Sequence, residues 1–159
     1  MPRPSARLGG VALLLVIGGA LGAYFATSGG GKRRPVAWQN VTAEVPPAVW
    51  ARPTISVIRN QAKLEKLFVV ATYGRHPRAP RIDFGHREAL LITTGPRSSS
   101  GYALRVERVT ERGGSIVVLV RERTPLLGEH VVPRLTYPLL LITLPRSSKH
   151  IDVKYAGRS

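Results

Sequence analysis

The chain has no cysteine. Disulfides, thiolate metal sites, iron–sulfur clusters, thiol catalysis and a lipid-modified cysteine are therefore excluded together. Aromatic residues are scarce, at 6%, too few to interleave with basic residues as a base-stacking surface requires. Acids are scarce as well: nine Asp and Glu stand against 24 Lys and Arg, a formal charge of +15 over 159 residues. The basic residues are mostly arginine and lie scattered from end to end, with Lys32-Arg33-Arg34 the one run. A GC-rich coding genome accounts for such an arginine excess. The functional reading of the charge is attraction to a polyanion, an acidic partner or an anionic surface. No nucleic acid is expected as a partner, because a nucleic-acid stripe would cluster its basic residues.

Enough apolar residues are present, 43%, for one modest core in a chain of one-domain length. Gly (16) and Pro (13) are frequent enough to demand many turns. The longest apolar run, Leu8 to Ala26, holds no charge over 19 residues, about the 20 that cross a hydrocarbon core as a helix. Arg3 and Arg7 precede it, and Tyr24 and Phe25 sit near its far end. This reads as an uncleaved membrane anchor in residues 1–28. A cleavable signal peptide, cut near Ala20-Leu21-Gly22, is the rival. Basic residues flank the run equally, so charge bias does not orient it. One early segment behind a short tail places the C-terminal part outside the cytoplasm.

Residues 29–53 read as a Gly/Pro-rich linker, although Trp38 and Trp50 are unusual in one. Val36 to Val45 hints at extended structure packed along the domain. Asn40-Val41-Thr42 matches a glycosylation sequon, as many chance triplets do. Residues 54–157 read as the folded domain. Ile55, Val57 and Ile58 predict a strand. Asn60 then caps a helix over Gln61–Ala71, with Leu64, Leu67, Phe68 and Ala71 on one face. Strands are predicted over 88–93, 102–110 with a slip near Val109, 116–120, 131–135, 139–144 and 151–155, with a tight turn at Arg112-Gly113-Gly114. The fold class is mainly β (α+β): a single N-terminal transmembrane helix, then a compact antiparallel β-sandwich or barrel of about seven strands with one helix. Leu90-Leu91-Ile92-Thr93 before Pro96-Arg97-Ser98-Ser99 repeats as Leu140-Leu141-Ile142-Thr143 before Pro145-Arg146-Ser147-Ser148. Duplication of a strand–turn unit and coincidence both account for it.

Catalytic patterns are missing. His76, His86, His130 and His150, with Asp83 and Asp152 nearby, show no spacing that forces a metal site. Asp83 before Phe84-Gly85 reads as a turn cap. Glu107, Glu111 and Glu122 read as solvated partners of hairpin arginines. Ser98-Ser99-Ser100 lacks a nucleophile elbow, and Gly29-Gly30-Gly31-Lys32 lacks the spacing of a phosphate loop. The expectation is no enzyme, no cofactor and no metal. The segment Gly95, Pro96, Arg97, Ser98, Ser99, Ser100, Gly101 and Tyr102 stands out. It reads either as a tight connection built on a positive-φ glycine, or as an exposed recognition loop on a rigid scaffold, with Arg97 as a forked donor for a partner carboxylate.

Several segments together resemble a known family. They are Ile82-Asp83-Phe84-Gly85, the strand 88–93, Ser100-Gly101-Tyr102 opening an alternating strand, Thr124-Pro125-Leu126-Leu127-Gly128, Thr136-Tyr137-Pro138-Leu139-Leu140, and Pro145. Over about 54–156 the chain resembles the C-terminal domain of the bacterial protease complex subunit PrcB. The Pro-Thr-Gly-Gly-Tyr turn usual there is replaced here by Arg97-Ser98-Ser99-Ser100-Gly101-Tyr102. The resemblance implies an exported, membrane-associated accessory protein that binds or stabilises a surface protease. Gly101-Tyr102 and Pro96 also bear a looser likeness to chagasin-type peptidase inhibitors. Three function classes follow: a tethered protein–protein module, a peptidase inhibitor acting through 95–102, and a cell-envelope polyanion binder. Oligomeric state is not fixed by the sequence.

Overall fold

A computed structural model describes residues 33–157. The uncharged run 8–26 lies outside them. No helix among the described residues is long and apolar enough to cross a membrane.

Two four-stranded sheets face each other. The first has the order β1 (Arg34–Pro35), β5 (Ala103–Arg112), β6 (Ser115–Arg123), β8 (Ile151–Ala156). The second has the order β2 (Gln39–Asn40), β7 (Leu139–Pro145), β4 (Arg87–Thr94), β3 (Pro53–Ile58). One α-helix, α1 (Gln61–Ala71), follows β3. Both sheets stay open, so the sandwich expectation holds and the barrel does not. The strands are not all antiparallel: β8 runs parallel to β6. The chain leaves β7 in one sheet and enters β8 in the other, so no hairpin forces the two into opposite directions.

Among the described residues eight strands stand where about seven were expected. Two very short ones, β1 and β2, lie in the stretch that composition marks as linker. Val36 donates its N–H to Val109 O at 3.1 Å, and Trp50 is buried edge-on to Phe68, their ring centroids 6.0 Å apart. The compact unit accordingly begins at Arg33. Conversely, 131–135 is not a strand. Pro133 removes a ladder donor, and Val132 and Leu135 point into solvent.

Layering explains the apolar runs. Leu90, Ile92, Leu140, Ile142 and Leu144 face the first sheet, meeting Val109, Ile116, Val118 and Val120. Ala89, Leu91 and Leu141 face the other way, onto Leu64, Phe68 and Trp50. The second sheet is thus covered on both faces, and its central strands read as unbroken hydrophobic segments rather than alternating ones. Each such leucine or isoleucine contributes about 1.5–3 kcal/mol by leaving water. The two Leu-Leu-Ile-Thr segments are direct neighbours: Leu90 lies opposite Ile142, Leu91 opposite Leu141 and Ile92 opposite Leu140.

Local signals operate as the residues demand. Asn60 Oδ1 accepts the Lys63 N–H at 2.7 Å and caps α1. Leu64, Phe68 and Ala71 are buried on one helix face, with Leu67 packed beside them. The β5–β6 hairpin turns at Gly113 and Gly114, whose φ of 59° and 82° suit a tight right-twisted turn that side-chain-bearing residues resist. Its register slips between Val106 and Arg108, just before the expected Val109.

Candidate interaction site

The 95–102 segment joins β4 to β5 at one end of the sheet pair. Gly95 has φ of 75° and lies against the backbone of Arg52 and Pro53. Arg97 and Thr136 exchange backbone hydrogen bonds, N–H of Arg97 to Thr136 O at 2.8 Å and the reverse at 2.9 Å. Thr136 Oγ1 donates to the carbonyl of buried Ser99 at 2.7 Å. Ser100 N–H donates to Val132 O at 3.1 Å, and Val132 N–H to Ser100 Oγ at 3.0 Å. The segment is therefore stitched along the 124–138 loop.

Gly101 does not have positive φ. A Cβ there would lie 2.7 Å from both Pro125 Cγ and Val131 Cγ1. Glycine is required because the two loops touch at this point, and Arg123 Nη1 donates to its carbonyl at 2.6 Å. Pro96, Ser98 and Ser100 remain exposed, and Tyr102 is half-buried under the Arg97 guanidinium, 5.9 Å from its ring centre.

Arg97 is not a free fork. Its Nε donates to Glu122 Oε1 at 2.5 Å, and its Nη1 donates to the carbonyls of Thr94 (3.1 Å) and Pro96 (3.0 Å). The Glu122 hydrogen bond is the main cause raising the arginine's pKa still further. Glu122 itself is buried, because it shares the inward face of β6 with Ile116, Val118 and Val120. The sequence reading as a solvated hairpin carboxylate fails for it. It holds for Glu107, which accepts from Arg105 and Arg121, each at 2.9 Å, whereas Glu111 pairs not with a hairpin arginine but with Lys149 at 2.7 Å. A cavity of about 310 Å³ adjoins the Arg97–Glu122 pair, with Pro53, Thr93, Thr94 and Tyr155 in its walls. Burial, then the Glu122 charge, pushes the Tyr155 phenol up, while Arg97 opposes them.

The 124–138 loop supplies residues that the sequence pattern did not single out for contact. Glu129 pairs with Arg123, and its second oxygen accepts the Leu126 N–H at 2.9 Å. Glu129 N–H returns to Leu126 O at 3.0 Å. The Arg123 hydrogen bond, then the Leu126 N–H, hold the Glu129 carboxyl below the ordinary glutamate range. This clamp presents Leu126 and Leu127 at the loop tip, 67% and 107% exposed, with Val132 and Leu135 exposed on the same loop. The legible signal was an adjacent leucine pair between Pro125 and Gly128: turn residues bracketing apolar ones.

The histidine–aspartate pairs are exposed and separate. His86 Nδ1 meets Asp83 Oδ2 at 2.8 Å, a contact that holds the Asp83 carboxyl low, and Asp83 Oδ1 caps the turn at Gly85 N–H, 3.1 Å away. His150 Nε2 meets Asp152 Oδ1 at 3.1 Å. Among the described residues no group of three His, Asp or Glu could hold a metal ion.

Neither the curated proteins nor the solved structures give a match to this chain. The chagasin-type likeness of Pro96 and Gly101-Tyr102 is not shown by any comparison. One family model, described as PrcB C-terminal, does match, over residues 89–145. The matched span runs from β4 to the end of β7 and contains both loops of this end, so residues 89–145 of the chain are similar to the PrcB C-terminal family.

Proposed function

We propose that this chain is a non-enzymatic accessory subunit of a protease complex, held outside the membrane by residues 8–26, that grips its partner with the paired loops 95–102 and 124–138. The family supports the protease-complex kind of role. The observation that carries the contact surface is the clamped tip: Leu126 and Leu127 stand in solvent on a loop that Arg123 and Glu129 hold in shape. Aliphatic side chains presented rigidly have little ordering entropy left to lose, so burying them in a partner pocket yields most of its hydrophobic gain.

The test is capture of partners from native membranes by the tagged full chain, with Leu126→Asp/Leu127→Asp alongside. The wild type should recover a protease and the variant should lose it, with circular dichroism unchanged. Recovery of every partner at wild-type yield by the folded variant overturns the loop assignment. Release of the full chain from membranes by an alkaline wash overturns the tether.

A further inference from the structure

The two sheets end in four edge strands: β1 and β8 in the first, β2 and β3 in the second. Open edges carry unpaired N–H and C=O groups, and proteins usually blunt them. β1 and β2 are two residues long. β3 opens with Pro53, and Lys63 Nζ caps its Val57 carbonyl at 2.9 Å. β8 is neither short nor opened by proline, and its charged residues are Asp152 and Lys154. It spans six residues, Ile-Asp-Val-Lys-Tyr-Ala, and among the described residues pairs with β6 alone.

The phase of that pairing settles which groups are free. Ile116 N–H donates to His150 O at 2.8 Å, with Ile116 beside Ile151 in register. In a parallel ladder this turns the backbone groups of residues 150, 152 and 154 toward β6, and those of Ile151, Val153 and Tyr155 outward. The side chains alternate independently. Ile151, Val153 and Tyr155 share the inward face with Ile116, Val118 and Val120, while Asp152 and Lys154 lie on the outward face beside Val117 and Leu119.

We infer that β8 is the docking edge for a second copy of this chain, paired antiparallel about a two-fold axis through Val153. Val153 then lies opposite its counterpart, and Ile151 opposite Tyr155 of the second copy. These are the residues with outward backbone groups, so all three opposed pairs are hydrogen-bonded pairs. Asp152 falls opposite Lys154 of the second copy, on both sides of the axis. That is a non-hydrogen-bonded pair, where side chains approach most closely and opposite charges stabilise. Lys154 has no ion pair among the described residues, and Asp152 is held by the exposed His150. Tyr155, half in solvent, gains a β-branched cross-strand neighbour. A shift of two residues either way shortens the ladder and separates Asp152 from Lys154. The contact is self-complementary and closes at two copies, joining the two first sheets into one.

The chain has no native cysteine, so its register can be read by cross-linking. Asp152→Cys and Lys154→Cys full-length chains, co-expressed and mildly oxidised in membranes, should give a disulfide-linked dimer. Each variant alone should give little, because identical positions are offset along the edge. Opposed Cα atoms in such a pair sit about 4.5 Å apart, within disulfide reach. Absence of the dimer while both thiols react with a maleimide overturns the pairing. So does equal dimer yield in all three combinations. Thiols blocked from maleimide without a dimer signify a different strand on this edge and also overturn it. As a cysteine-free check, Asp152→Lys should remove the dimer seen by sedimentation of the detergent-solubilised chain, and adding Lys154→Asp should restore it. Unchanged sedimentation in both overturns it.

Discussion

Arg97 donates its Nε–H to Glu122 Oε1 across 2.5 Å, so a loop arginine neutralises a carboxylate on the inward face of β6. The same design recurs in the second sheet, where Arg59 Nε meets Oε2 of fully buried Glu88 at 2.9 Å. A buried pair of this kind adds little net stability, but removing one partner is costly.

Arg97→Ala should therefore destabilise the domain by about 3 kcal/mol, measured by urea unfolding. Alanine at Ser98, whose side chain is exposed, should change stability by less than about 0.5 kcal/mol. Equal small effects for both would show that Glu122 does not depend on the arginine. A loop variant meant to test binding must leave Arg97 in place.

Gly101→Ala puts a Cβ within 2.7 Å of Pro125 and Val131. The loops must separate, at a cost of about 1–3 kcal/mol, and Gly101→Val should cost more. Thermal melts decide this. If Gly101→Ala melts with the wild type, the two loops do not pack as described.

Val118 is wholly buried between the sheets, while Leu119 points to the outer face. Val118→Asp should cost about 3–5 kcal/mol, because the charge has no partner there. Leu119→Asp should cost far less. A reversed order in chemical denaturation would mean that the inward face of β6 is misassigned.

Glu129 has a folded-state pKa below its unfolded value, first through the Arg123 hydrogen bond. Its contribution is complete above the unfolded pKa and is lost as pH falls through the lower, folded one. The Leu126–Leu127 tip should hold its shape at neutral pH and loosen below about pH 4. The Leu126 amide shift, followed by NMR, should titrate with a midpoint below the ordinary glutamate value, and Arg123→Ala should raise that midpoint. A midpoint unmoved by Arg123→Ala would remove the clamp from the account.

Local chemistry was legible in the order of residues. The helix Gln61–Ala71 appears with its Asn60 cap, and the 103–123 hairpin with its glycine turn and bulge. Each is decided by groups within a few positions of one another: a side chain bonding a nearby N–H, a glycine taking positive φ, apolar residues recurring at the element's own period. The PrcB-like segments within 89–145 were legible for the same reason, since a family pattern is a linear one, whereas Ile82-Asp83-Phe84-Gly85 lies outside the matched span.

Only the tertiary structure decided the rest, because it depends on which face meets which layer. Glu122 looks like any hairpin carboxylate until β6 turns it inward to Arg97. Trp50 belongs to the core because α1 brings Phe68 to it. Residues 131–135 are apolar enough to suggest a strand but form no ladder, and Val132 and Leu135 stay in solvent. Gly101 is glycine because a loop distant in sequence lies against it, and β8 is parallel because the chain changes sheets before reaching it. Burial and pairing between distant segments are properties of the folded arrangement, and no local period encodes them.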